Sequence, residues 1–179
     1  LEVLESSKFS SRYGIRTLAN DEENYNPAGY HNGSTWGWLT AMMSGAEFKN
    51  NRPEKGMEYL EILFKHMNSN CLGAIEEAWN SDDGNSTLFK DNIFEEGSFM
   101  RGWNSALVVR CIDEWILGIN INAMKKTITI SPSLVTGMRA VRRKRIGNDF
   151  VDIKFKRIGN RLKVDYSSKN KEKYNMTVL

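Results

Sequence analysis

The chain of 179 residues is 40% hydrophobic and 26% charged, with a formal net charge of +3. These values fit a globular protein of one domain, or one domain with a small appendage. They exclude a disulfide framework, since Cys71 and Cys111 are the two cysteines, and no apolar run approaches the length that spans a bilayer.

Charge divides the chain. Residues 125–179 carry 15 Lys+Arg against 4 Asp+Glu, a net +11, whereas residues 1–124 carry −8. An acidic part followed by a basic part implies two structural units, 1–122 and 123–179, meeting near Asn120 to Lys126. The opening Leu1 to Phe9 reads as the end of a helix already under way, so the chain is expected to be a fragment. Residues 11–33 are irregular, broken by Gly14, Pro27, Gly29 and Gly33. Ser34 is the expected N-cap of a helix over about 35–49, apolar nearly all round and therefore packed on several sides. Pro53 then opens an amphipathic helix over about 53–68, with Met57, Leu60, Leu63, Phe64 and Met67 on one face. Ser98 is the expected N-cap of a third helix, about 98–118, again apolar on more than one face. Cys111 lies within it and reads as a buried thiol.

The order is thus buried, surface and buried helix, joined by loops longer than a simple bundle needs. A toroid of inner and outer helices gives that alternation. Beyond Asn120 the period becomes two. Lys125–Ser131, Val135–Arg145, Phe150–Arg157, Arg161–Tyr166 and Tyr174–Leu179 are expected strands, with Gly159-Asn160 in a hairpin turn. The expected fold is mainly α with a small C-terminal β unit: the C-terminal portion of an (α/α)6 toroid followed by an antiparallel sheet. The run Arg142 to Arg145 lacks the interleaved aromatics of a single-strand-binding surface and reads as a solvated face. Neither a nucleic-acid nor a membrane partner is expected, and the chain reads as cytoplasmic.

The stretch from Gly73 to Gly84 carries Glu76, Glu77, Trp79, Asp82 and Asp83 between two helical patterns. Its Asn-Ser-Asp-Asp-Gly end is turn chemistry. Carboxylates beside an aromatic in a loop suit sugar cleavage, in which an acid does proton transfer and a flat apolar ring stacks on the sugar. A solvated acidic loop has the same composition. In extended backbone Glu77 and Trp79 share one face and Glu76 the other.

Three blocks carry a resemblance. They are Gly14-Ile15-Arg16-Thr17-Leu18 followed by Asn26 to Trp36, then Gly73-Ala74-Ile75-Glu76-Glu77-Ala78-Trp79, then Trp103-Asn104-Ser105-Ala106. In order and spacing they resemble the C-terminal part of glycogen-debranching amylo-α-1,6-glucosidases and of glucoamylase-like (α/α)6-barrel glycosidases. Gly37 stands where many relatives have Pro, and Asn80 where relatives often have Asp. The resemblance implies inverting hydrolysis of an α-glucan by two carboxyl groups. It aligns Glu77 with the general base and leaves Glu76 a structural ion-pair residue. Candidate sugar contacts are Arg16, Tyr30, His31, Trp36, Trp79 and Trp103, for which a surface arginine, a structural histidine and core aromatics are the alternative readings; no cluster has metal-ligand spacing and no cofactor is expected. The general acid belongs to a preceding half of the barrel, so the expected partners are that half, or a second copy, together with the α-glucan. The chain alone is then expected to be inactive. An inverting sugar phosphorylase and a non-catalytic carbohydrate-binding remnant are the alternatives.

Overall fold

The structure is a computed structural model that describes all residues except 70–72, 88, 91–92, 95–96 and 169–173. Cys71, Glu95 and Glu96 lie outside the described residues. The chain packs as two compact units, Leu1–Cys111 and Ile112–Leu179.

The first unit contains helices α1 (Glu2–Glu5), α2 (Gly37–Lys49), α3 (Pro53–Met67) and α4 (Gly102–Arg110). Between them lie two-residue strands: β1 (Ser10–Ser11), β2 (Gly14–Ile15), β3 (Thr35–Trp36), β4 (Ala78–Trp79), β5 (Phe89–Lys90) and β6 (Ile93–Phe94). They pair antiparallel as β1–β2, β3–β4 and β5–β6. Pro53 starts α3 at a position where its missing N–H costs nothing. The helix buries Tyr59, Leu60 and Leu63, and Tyr59 packs with Ile15 and Met43. Helix α2 buries Thr40, Ala41, Met43, Ser44, Glu47 and Phe48. The two helices approach closely at Gly56, where an added Cβ would lie 2.6 Å from the Phe48 ring. Ser44 Oγ donates to the Gly56 carbonyl at 2.8 Å across that contact.

Helix starts differ from the sequence expectation. Trp36, not Ser34, precedes α2, because Thr35–Trp36 is committed to the β3–β4 ladder. Ser34 Oγ donates instead to the Tyr30 carbonyl. Arg101, not Ser98, precedes α4, and the Ser98 carbonyl accepts from Glu77 N–H.

A π-helical turn, Cys111–Ile116, follows α4 in sequence, and all but its first residue belong to the second unit. Its strands are β7 (Ile119–Asn122), β8 (Thr127–Ile130), β9 (Arg139–Ile146), β10 (Asp149–Ile158), β11 (Arg161–Ser168) and β12 (Asn175–Val178). They form sheets of order β12–β8–β7 and β11–β10–β9. Ile128, Ile130, Val151, Ile153 and Phe155 are buried at alternate positions, the period of half-buried strands. The composition boundary near Asn120 falls within β7.

Two expectations are corrected. Helix and strand hold nearly equal shares of the described residues, so the chain is not mainly α and is not a portion of an all-helical toroid with a small sheet appended. The segments read as inter-helix loops contain paired strands, and the third helix ends as a π turn followed by β7. The β unit is also not purely antiparallel, because β12 runs parallel to β8.

Candidate active site

Strand pairing joins two of the three sequence blocks. Thr35 pairs with Trp79 and Trp36 with Ala78, which brings the Tyr30–Trp36 loop against the acidic stretch. The loop is closed on itself: Trp36 Nε1–H donates to the Tyr30 carbonyl at 2.7 Å and to Ser34 Oγ at 3.0 Å. Its rings form one cluster. Tyr30 lies edge-on to His31 and to Trp36, each with centroids 4.6 Å apart, and His31 stacks on Trp36 at 5.5 Å. The third block clamps the other side. The buried Asn104 amide donates to the Glu76 carbonyl at 2.7 Å and to the Glu77 carbonyl at 3.3 Å. Gly37 leaves room for that amide, since a Cβ there would sit 2.8 Å from Asn104 Nδ2 and 2.9 Å from Ile75. A ring at this position would collide with the clamp, which accounts for Gly37 in this chain.

The neighbouring carboxylates diverge. Glu76 accepts from Ser86 Oγ at 2.6 Å and is 2% exposed. Glu77 is 1% exposed and faces Arg101, whose Nε lies 2.7 Å from Oε1. Around Glu77 and Arg101 is a pocket of about 460 Å³ walled by Tyr30, His31, Trp36, Trp38, Trp103 and Leu107. Burial, and then hydrogen bonding to Glu77, push the Tyr30 hydroxyl above its ordinary pKa. Hydrogen bonding to Glu77 raises the Arg101 guanidinium in turn. Trp103 is half exposed, with Arg101 5.0 Å from its ring centroid. The result is a fixed, ion-paired carboxylate in a depression with aromatic walls. Such a site suits a sugar, whose C–H faces lie on rings while its hydroxyls meet charged groups.

Glu77, Tyr30, His31, Trp36 and Trp103 are thus brought together, but Arg16 and Trp79 are not among the pocket's walls. Trp79 is fully buried, stacks on His66 at 3.8 Å and donates from Nε1 to the Tyr13 carbonyl at 2.8 Å. The shared face with Glu77 does not form. The strand is two residues long and Glu77 sits in the bend before it, so alternation does not carry back to it. Arg16 is 8% exposed and spends its nitrogens on the Tyr25 hydroxyl, the Ser7 carbonyl and Asp82 Oδ1. It fastens the Asp82 turn. Sequence reasoning missed Arg101 and Trp38. The available signal for Arg101 was a cation two residues before the Trp103 block; no local pattern marked its partner, 24 positions earlier. Among the described residues no group of three His, Cys, Asp or Glu side chains gathers as a metal site requires.

Comparison with curated proteins finds no significant match. The family model described as amylo-alpha-1,6-glucosidase matches residues 4–110, a span that holds the strand pair, the Asn104 clamp and every wall of the pocket. The chain belongs to the amylo-alpha-1,6-glucosidase family, which points to a glycoside-hydrolase-like function.

Proposed function

We propose that the pocket holds a glucosyl unit of an α-glucan and that Glu77 is the general base of its inverting hydrolysis. The observation that carries this is the placement of Glu77: a nearly solvent-free carboxylate, paired with Arg101, at an aromatic-walled depression sized for a sugar. In such a reaction one carboxylate takes a proton from water as the water attacks the anomeric carbon, and an opposed carboxylic acid protonates the departing oxygen. The two stand ~6.5–9.5 Å apart with the sugar between them. Tyr30 and Arg101 orient Glu77 in this scheme, while His31, Trp36 and Trp103 contact the sugar.

Among the described residues, Glu77 is the carboxylate that lines the pocket. The acid is therefore proposed to come from outside these residues, on another segment or another chain. Trp38 and Met42 of α2, 36% and 47% exposed, are apolar surface for that element to cover. In the complete enzyme, Glu77→Gln keeps shape and removes the proton acceptor. The expected result is a fall of at least ~10²-fold in kcat on a branched dextrin. Near wild-type turnover by this variant, with Glu76→Gln inactive, would move the assignment to the neighbouring carboxylate.

Arg101 also favours a second reading, since a phosphorylase needs a cation near its attacking phosphate. Activity that requires inorganic phosphate and releases a sugar phosphate would select it.

A further inference from the structure

The β11–β10–β9 sheet carries a charge pattern that sugar cleavage does not use. The pleat splits the run Arg142 to Arg145 between two faces. Arg142 and Lys144 turn inward to Asp113, Arg142 Nε at 2.7 Å from Oδ1 and Lys144 Nζ at 2.6 Å from Oδ2. Burial raises the Asp113 carboxyl, and these two cations outweigh that and hold it below the ordinary value. Arg139, Val141, Arg143 and Arg145 turn outward and are exposed.

The register decides what stands beside the outward set. Arg139 is opposite Lys156, and Lys156 is opposite Lys163, so three cations form one row across the sheet. Like charges directly opposite destabilise a sheet. Among the described residues this row's carboxylate partner is Asp165, 3.0 Å from Lys163. Arg143 has Asp152 at 3.4 Å, while Lys154 and Arg161 add two exposed cations. Val141, Phe150 and Ile158 project from the same face, 74%, 43% and 61% exposed. The sheet therefore keeps a repulsive row and three large apolar side chains in water.

We propose that this face docks on the anionic headgroups of a lipid bilayer. Its cations form a two-dimensional array over three strands rather than a stripe, and a bilayer presents its charges in two dimensions. The headgroup zone also accepts apolar side chains such as Val141, Phe150 and Ile158. A single-stranded nucleic acid would need bare aromatic platforms, but the aromatic on this face, Phe150, lies under Arg143, 5.0 Å from its ring centroid. No helix among the described residues is long and apolar enough to cross a membrane, so the proposed association is peripheral.

The test is co-sedimentation of the full chain with vesicles of phosphatidylcholine alone and of phosphatidylcholine mixed with phosphatidylserine, at low and high salt. Binding is expected to the mixed vesicles and to fall with salt. Each Lys or Arg near an anionic surface contributes about a fivefold change in binding, so Lys154→Glu with Lys156→Glu should weaken it by at least about twenty-five-fold. Val141→Ser with Ile158→Ser should weaken it at high salt, where the apolar part remains. The same charge change at Lys125 and Lys126, in the turn between β7 and β8, should cost much less, and circular dichroism verifies that each variant is folded. Equal binding to neutral vesicles, or mixed-vesicle binding that the Lys154/Lys156 reversal leaves intact, overturns the proposal. Tighter binding to an oligonucleotide, lost in the same reversal, overturns it in favour of a nucleic-acid surface.

Discussion

Arg101 Nε lies 2.7 Å from Glu77 Oε1, joining a guanidinium that is 39% exposed to a carboxylate that is 1% exposed. The burial is one-sided, so the two partners are not equivalent. Removing Glu77 leaves a cation that water can solvate, whereas removing Arg101 leaves a nearly buried anion without its cation. Arg101→Ala should therefore destabilise the fold, by less than a fully buried pair would lose because solvent already screens the arginine. Adding Glu77→Gln to that variant should restore most of the loss. Urea denaturation of both singles and the double gives the coupling, and strictly additive losses would show that the pair is not the cause.

Trp103 stands half exposed at the pocket wall, so it contributes little to the core. If it stacks on a sugar, Trp103→Ala should raise KM for a maltooligosaccharide about tenfold, as expected for one aromatic stacking contact. Thermal stability should change little. A large fall in Tm with KM unchanged would reassign Trp103 to packing.

His66 stacks on Trp79 at 3.8 Å, and its buried Nδ1 has no hydrogen-bond partner. Burial lowers its pKa from 6.5 to about 4. Between those values the unfolded chain takes up a proton that the folded chain refuses. Stability is therefore full above the unfolded value and is lost as pH falls from 6.5 toward about 4, by about 3 kcal/mol at most. His66→Phe keeps a ring against Trp79 and should flatten that part of the stability–pH curve. Parallel wild-type and variant curves from neutral pH to roughly pH 4 would remove His66 as the source.

Glu47 is fully buried in α2, and neither of its oxygens has a hydrogen bond. Its nearest cation is Arg52, with Nε 3.2 Å away, which also binds Glu5 through two contacts of 2.6 Å. Burial, and then the charge of Glu5, push the Glu47 carboxyl above its usual value of 4.5, with Arg52 opposing. The folded chain thus retains a proton that the unfolded chain releases. The stability cost appears as pH rises from 4.5 and grows through the raised value. Glu47→Gln should raise Tm at neutral pH by roughly 2–4 °C for each kcal/mol relieved. The gap to wild type should close below about pH 4. A variant that melts lower at neutral pH would show that the Arg52 pairing outweighs the burial.

Sequence alone determined what depends on local chemistry or on side-chain type. Pro53 and the spacing of Leu60 and Leu63 mark α3 within a residue of its observed end, since an amphipathic helix writes its period into neighbouring positions. The alternation in β8 to β11 was legible for the same reason, as was the Gly159-Asn160 hairpin, where Ile158 meets Arg161. The aromatic loop and the acidic stretch carried the resemblance to the family that residues 4–110 match. Tertiary structure decided the rest, because it depends on which distant segments pair. Strand β3 took Thr35 and Trp36 from the start of α2, and β7 formed over Ile119 to Asn122, ahead of the first expected strand. One bend before β4 turned Glu77 into the pocket while Trp79 entered the core. Arg101, 24 positions from Glu77, became the partner of that carboxylate. The row Arg139–Lys156–Lys163 likewise exists only through register. Two-residue strands and long-range ion pairs carry no period of their own, so only the folded chain decides which residues they join.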